Sequence, residues 1–202
     1  NGGMVLAVSD EPGCHSSQNE QDTRFYARMA HLPLLEPADP QEAKDLTRYA
    51  FELSEQLQLP VIVRMTTRVS HMRGAVTLDA LPAQVNRRAP FRRDLARFAY
   101  NPGLARKRRK VLLEQNRIAR DLAEDAEALN FVVGMPPTGK APIGILTSGV
   151  GFNYARDAVT ELDLAGQVAI AKLGFSRPVP DRWLVAFLSG VDRCLVFEEV
   201  EP

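Results

Sequence analysis

Short apolar runs alternate with amphipathic stretches along most of this chain. Residues 4–8 (MVLAV) form the first run, uninterrupted by polar positions and closed by Ser9-Asp10, the pattern of a strand buried on both faces of a parallel sheet. A polar stretch follows as far as Asp22, a helical turn is predicted over 23–30, and Pro33-Leu34-Leu35 reads as a short strand. Helix signals then strengthen. Asp39 suits an N-cap, Pro40 the first helical position, and Glu42 completes a capping box. Ala43, Leu46, Ala50, Leu53 and Leu57 recur on one helical face. Pro60 stops that helix, and 61–66 (VIVRMT) reads as the next strand. Strand, helix, strand implies a parallel sheet with a right-handed crossover.

The second half repeats this logic. Residues 143–147 form a strand, Ser148-Gly149-Val150-Gly151 a turn opening a helix to about Leu162, and 168–173 the next strand. Asp181 is expected to cap a helix carrying Trp183, Leu184, Phe187 and Leu188, with 194–197 as a final strand, a three-stranded α/β unit. Between the halves, 74–141 contains Pro82, Pro90, Pro102, Pro136 and Pro137 and one long helix, expected over about 105–130. Val111, Ile118, Leu122 and Leu129 give that helix a modest apolar stripe. The segment reads as an ordered linker lying across two α/β units, and no internal repeat or low-complexity tract stands out. The fold class is thus α/β, two parallel-sheet units joined by a helical linker.

Composition narrows the picture. The 202 residues carry 25 basic and 25 acidic side chains, a soluble globular balance. No apolar run reaches the roughly 18 residues that cross a bilayer, and no signal peptide is visible, so no membrane partner is expected. Cys14 and Cys194 are too few for a disulfide framework and match no metal or cluster spacing, which points to a reducing cytoplasm and to no metal site in this chain. Asn1-Gly2-Gly3 leads straight into a buried-type strand and the chain stops at Glu201-Pro202 just after another, so it is read as an internal fragment.

The neutral total hides an asymmetry. Residues 87–110 hold ten cations (Arg87, Arg88, Arg92, Arg93, Arg97, Arg106, Lys107, Arg108, Arg109, Lys110) against Asp94 alone. Cations at a helix start oppose the macrodipole, so either the helix begins beyond them or an anionic partner compensates. Sparse aromatic interleaving (Phe91, Phe98, Tyr100) argues against nucleic acid. An acidic subunit surface, coenzyme phosphates or plain solvent remain as counterparts.

Candidate chemistry lies beyond the carboxyl ends of the strands, where open parallel sheets bind ligands. Two polar segments leave the first unit there: 9–22, and 67–71 (TRVSH). The first presents His15, Ser16, Ser17, Gln18, Asn19, Glu20, Gln21 and Asp22 in succession. A surface turn needs only a few turn formers, and Asp10, Pro12 and Gly13 already supply them. Eight consecutive polar groups suit a polyatomic polar ligand, or else simply solvent. His15 could serve as a proton donor or as a positive group beside a carboxylate, roles for which an imidazole side chain is suited. Cys14 beside His15 is a poor thiol–imidazole pair, because adjacent residues seldom present side chains to one another. Ser16 lacks the Gly-x-Ser-x-Gly elbow of hydrolases. Gly149-x-Gly151 is only part of a dinucleotide fingerprint, since Tyr154 stands at the third glycine position.

The run DEPGCHSSQNEQDTR at 10–24 is long enough to identify a relationship. It resembles the DDPGxHSSQNEQDxR signature of the large subunit of the indolepyruvate ferredoxin oxidoreductases. EPADPQEAKD at 36–45, PVIVRMTTRVSH at 60–71, KLGFSRPVP at 172–180 and FEEVEP at 197–202 follow in that family's order. Residues 80–140 match least, and Glu11 and Cys14 depart from the commonest pattern.

The resemblance implies that 1–73 is the second half of a pyrimidine-binding thiamine-diphosphate domain, 74–141 the basic linker with its long helix, and 142–202 a transketolase C-terminal-like α/β domain. It implies a thiamine-diphosphate enzyme that oxidatively decarboxylates indolepyruvate or related aryl 2-oxo acids to acyl-CoA. Electrons would leave through iron–sulphur clusters to ferredoxin. His15 becomes the candidate catalytic residue, with Ser16, Ser17, Gln18, Asn19, Gln21, Asp22, Arg24, Thr67 and Arg68 on the substrate and cofactor rim. The implied cofactors are thiamine diphosphate with Mg2+, completed outside this chain, and clusters and CoA in the full enzyme. Implied partners are the remainder of the large subunit, a small subunit and ferredoxin.

No Gly-Asp-Gly…Asn segment for magnesium and diphosphate and no cysteine array is present, so the chain is expected to be inactive alone. The competing reading is a non-enzymatic α/β module that binds an anionic partner through 87–110.

Overall fold

The computed structural model describes residues 2–80, 93–99 and 101–200. Pro82, Pro90, Arg87, Arg88, Phe91, Arg92, Tyr100 and the terminal Glu201-Pro202 lie outside the described residues, so the basic run can be followed only from Arg93 onward. The strands are β1 (Val5–Asp10), β2 (Leu34–Leu35), β3 (Val61–Thr66), β4 (Asn130–Val133), β5 (Ala141–Ser148), β6 (Val168–Leu173), β7 (Phe175–Arg177) and β8 (Val191–Phe197). The helices are α1 (Arg24–Ala30), α2 (Pro40–Leu57), α3 (Thr67–His71), α4 (Leu95–Phe98), α5 (Pro102–Glu124), α6 (Gly151–Glu161) and α7 (Asp181–Ser189).

These form two mostly parallel four-stranded sheets, in the order β1-β3-β2-β7 and β4-β6-β5-β8. In the first sheet β1 and β3 run parallel with Asp10 opposite Thr66, so the two polar segments that follow them leave the same edge. The α2 helix forms as its sequence dictates. Asp39 accepts the Glu42 N–H at 2.9 Å, and Leu46, Ala50, Leu53 and Leu57 bury one face against Leu35, Val61 and Val63. Glu42 reaches back to the Ala38 N–H at 2.8 Å, one residue beyond the usual capping-box partner.

Four expectations need correction. Residues 67–71 wind into the short helix α3 instead of remaining a loop. The second sheet has four strands, because Asn130 to Val133 pair antiparallel with β6. The long helix stops at Glu124, so Asn130 starts a strand instead of ending that helix. Asn130 is buried, its amide oxygen accepting from the N–H groups of Gly174 and Phe175, and its side-chain nitrogen donating to carbonyls of Ala123 and Phe175. Finally, Asp181 is not the cap of α7. Glu124, from the end of α5, accepts the N–H groups of Arg182 and Trp183 at 2.8 and 2.9 Å, while Asp181 pairs with Arg120.

The α5 helix also buries a different stripe from the expected one. Val111 and Ile118 are exposed, whereas Ala119 and Ala123 are fully buried against the core that holds Leu53 and Phe175. Small side chains let the helix approach closely, so the seam is written in alanines and not in large apolar residues. Leu122 and Leu129 do pack there.

The halves are tied together in several ways. Phe175 to Arg177 leave the second half and pair antiparallel with β2, completing the first sheet. Lys172, 1% exposed, donates to both oxygens of Glu42 at 2.5 Å and lies over the rings of Phe131 and Phe152. The Asn153 amide donates to the Ala38 carbonyl at 2.8 Å. No helix among the described residues is long and apolar enough to cross a membrane.

Candidate active site

The loop between β1 and α1 is built on two carboxylates. Asp10, fully buried at the end of β1, accepts the Thr23 N–H at 2.8 Å, the Thr23 hydroxyl and the Arg64 Nε–H. It therefore closes the loop by joining its last residue to its first. Glu11 accepts the Ser16 N–H at 2.8 Å, the Ser16 hydroxyl at 3.1 Å and the Thr67 hydroxyl at 3.0 Å. Burial opposes its charge, but these donors and the nearby His15 outweigh burial and hold Glu11 below the usual carboxylate range. Between these anchors Pro12 to Cys14 make a single tight turn with Gly13 at φ 66°, a conformation glycine adopts without strain.

Behind the loop lies a buried ionic network. Arg64 on β3, 4% exposed, donates to Asp10 and, at 2.6 Å, to Glu36, and stands 3.7 Å from Asp22. Arg24 grips Asp22 through Nε and Nη2 at 2.9 and 2.6 Å and reaches Glu198 just beyond β8. Burial penalises the Asp22 charge, but bonds from Arg24 and the charges of Arg24 and Arg64 pull its pKa down. Burial pushes the Glu198 carboxyl up, and the charge of Glu36 adds to this against the pull of Arg24 and Arg64.

The sequence-predicted residues therefore divide. His15, Thr67 and Arg68 come together in a cleft of about 590 Å³ that opens between α3 and α6. Ser16 is held by Glu11 beside it, and the Ser17 hydroxyl donates to the Asn19 carbonyl at 2.7 Å. Gln18, Asn19 and Gln21 are exposed along the loop and do not line the cleft. Asp22 and Arg24 belong to the network behind it, their side chains 5% and 12% exposed.

Residues 9–133 match the family model for the thiamine-diphosphate-binding region of the pyruvate flavodoxin/ferredoxin oxidoreductases. The chain belongs to this family. It is 44% identical over 200 residues to the indolepyruvate oxidoreductase subunit IorA of Methanothermobacter thermautotrophicus, covering 99% of this chain and 31% of that protein. The subunit IorA of Thermococcus kodakarensis is 41% identical over 205 residues, with 100% and 31% covered. The chain thus spans about a third of the length of the curated relatives it matches. A 2-oxoglutarate:ferredoxin oxidoreductase from Magnetococcus marinus, solved with 2-oxoglutarate, coenzyme A and succinyl-CoA bound, shares the fold at TM-score 0.68 and 17% identity, over 99% of this chain and 42% of its own.

In this family member, sequence reasoning missed one side of the cleft. Asn153, Tyr154 and Asp157 line it from α6 of the second half, with Val150 just before that helix, opposite His71 and Met72. Tyr154 had been visible only as a missing glycine, and nothing in the local pattern announced that α6 faces the loop. The loop carboxylate Glu11, noted as a departure from the usual aspartate, proves to be what pins Ser16 to Thr67.

The basic segment has a simpler local explanation than the sequence allowed. The α5 helix starts at Pro102, with Asn101 accepting the Leu104 N–H at 2.9 Å, so Arg106 to Lys110 fall beyond its first turn, where the dipole effect fades. Arg106, Lys107, Arg109 and Lys110 are exposed there, and none forms an ion pair among the described residues.

Proposed function

We propose that this chain is part of the large subunit of a thiamine-diphosphate-dependent oxidoreductase that oxidatively decarboxylates a 2-oxo acid, with indolepyruvate or a related aryl 2-oxo acid as substrate and ferredoxin as acceptor. What supports this is the meeting of His15, Thr67 and Arg68 in one cleft at the carboxyl edge of a parallel sheet, in a chain of this family. Residues 1–73 act as half of the pyrimidine-binding domain and 142–202 as the transketolase C-terminal-like domain, with 74–141 the linker between them.

The residues present fit one wall of a cofactor site. His15, Thr67 and Arg68 line the cleft with an imidazole, a hydroxyl and a guanidinium. The sequence carries no Gly-Asp-Gly…Asn segment of the kind that grips magnesium and diphosphate. The diphosphate and Mg2+ are therefore assigned to the remainder of the large subunit. Two free cysteines do not make a cluster site, so iron–sulphur ligands fall elsewhere in the complex with the small subunit. Thiamine diphosphate, when bound, supplies the nucleophilic carbon and the electron sink for decarboxylation. This chain's residues bind and position. His15 donates a proton to the substrate oxygen or holds positive charge beside it, Arg68 binds the carboxylate, and Tyr154 and Met72 give the substrate side chain an apolar bed.

In the complete enzyme, His15→Ala should lower kcat by about 10²–10⁴-fold while the subunit remains folded. Turnover within twofold of the parent would overturn the assignment. Isothermal titration of the isolated chain with thiamine diphosphate and Mg2+ should show no micromolar binding; such binding would contradict the idea of a single wall.

A further inference from the structure

The Arg24–Glu198 pair joins the end of the loop to the far sheet. Asp10 ties residue 23 back to β1, and Arg64 ties Asp10 to β3, so both ends of the loop are fixed within the first sheet. Arg24 then leaves that sheet altogether. Its guanidinium, already held by Asp22, extends to the Glu198 carboxylate and to the Glu199 carbonyl at 3.2 Å, both beyond the end of β8.

The seam it crosses is not completely filled by side chains. A cavity of about 170 Å³ lies there, walled by the polar groups of Arg24, Glu36 and Glu198 and by apolar Leu146, Leu173 and Leu184. Glu36 Oε2 and Ser176 Oγ are buried without a hydrogen-bond partner, so this side of the interface has room for water. The other ties described between the halves, β2 with β7, Lys172 with Glu42 and Asn153 with Ala38, do not reach the loop.

Stability alone does not account for the pair. Taking two charges from water costs several kcal/mol per ion, and their attraction often fails to repay it. The raised pKa of Glu198 says the same in this protein: its charged form is worse off folded than in water. Such a group loses stability as pH rises through its folded pKa. A half-buried charge kept against that penalty fixes a geometry.

We propose that Arg24 and Glu198 are positioning residues that set the loop carrying His15 from the end of the second sheet, so that both α/β units together fix the height of His15 over the cleft. This rests on reading the cleft as the active site. The order of effect follows from how steeply rate depends on placement, since a displacement near 1 Å can cost about a hundredfold.

The test uses the complete, cofactor-loaded enzyme with Glu198→Gln, which keeps shape and removes charge. We expect kcat to fall roughly tenfold, KM to move less than twofold, and the thermal midpoint to hold or rise slightly. Glu198→Asp, which restores the charge, should recover part of the loss. Placed in the His15→Ala background, Glu198→Gln should lower kcat by less than about twofold, because its effect runs through His15. Parent-like kcat in Glu198→Gln, with His15→Ala inactive, would overturn the positioning role and leave the active-site reading intact. A tenfold loss that persists in the His15→Ala background, or one accompanied by a midpoint lowered by several degrees, would also overturn it. Parent-like turnover in His15→Ala would instead defeat the reading on which the proposal rests.

Discussion

The two sheets turn their chains over into helices by opposite means. From β1 to α1 the chain takes residues 11–23, and their path is set by side-chain charge: Asp10, Glu11, Asp22 and the arginines that answer them. From β5 to α6 it takes only Gly149 and Val150, and sterics set the path. Gly149 sits at φ 52°, and a Cβ on Gly151 would meet the Thr147 hydroxyl and, at 3.4 Å, the Phe197 ring. A backbone-built turn is rigid but offers little to a ligand. A charge-built loop can hold many exposed polar groups in a defined shape, at the risk of losing that shape when a partner is removed or protonated.

That contrast can be broken first at Arg64. Arg64→Met leaves Asp10 and Glu36 buried without their cation and should cost about 3–5 kcal/mol, with the loop among the first segments to exchange its amides. Denaturant unfolding monitored with hydrogen exchange checks this; a loss below about 1 kcal/mol would mean that water substitutes for the guanidinium. Gly151→Ala probes the other rim. Thr147 is buried and β-branched, so it has little freedom to turn aside, and overpacking there should cost about 1–3 kcal/mol without any pH dependence of its own. A parent-like midpoint would show that the turn is not sterically fixed.

The difference sharpens with pH. Glu11 and Asp22 both have lowered pKa values, so the stability they contribute is fully present above their unfolded values, near 4.3 and 3.9, and is lost as pH falls through the lower folded values. Acid should therefore loosen the loop before the β5–α6 turn, which amide exchange in the two segments would resolve. The smallest effect is expected for Glu11→Gln, which keeps a hydrogen-bond acceptor for Ser16 and Thr67 and removes the charge. The thermal midpoint should change little while the acid shift of the loop diminishes; an unchanged acid profile would remove Glu11 from the account.

Much of the scaffold was legible because long elements repeat their signals. The α2 stripe from Leu46 to Leu57 and the apolar runs of β3 and β6 each offer enough positions for a period or a run to show. Among the short strands only Leu34-Leu35, set off by Pro33, was read in advance. With four and three residues, β4 and β7 owe their state to a neighbour and not to their own pattern. Partnership at long range was equally hidden. Nothing near Glu36 announces Arg64, nothing near Arg24 announces Glu198, and nothing near Arg182 announces Glu124 as the helix cap. The loop's polar character was plain in the sequence, but its division into exposed groups and buried anchors was not. That division depends on which carboxylates the fold surrounds with cations and N–H donors, which the spacing of residues along the chain does not encode.

The strand at Phe175 to Arg177 also bears on how the chain is made. Its partner Leu34-Leu35 leaves the ribosome long before it, so the β2 edge of the first sheet stays unpaired until residues 175–177 are synthesised. The two halves cannot then mature one after the other as separate beads. The first remains an unfinished, aggregation-prone intermediate until residue 177 emerges, and expression of residues 1–73 by themselves should yield a species that needs chaperone protection throughout.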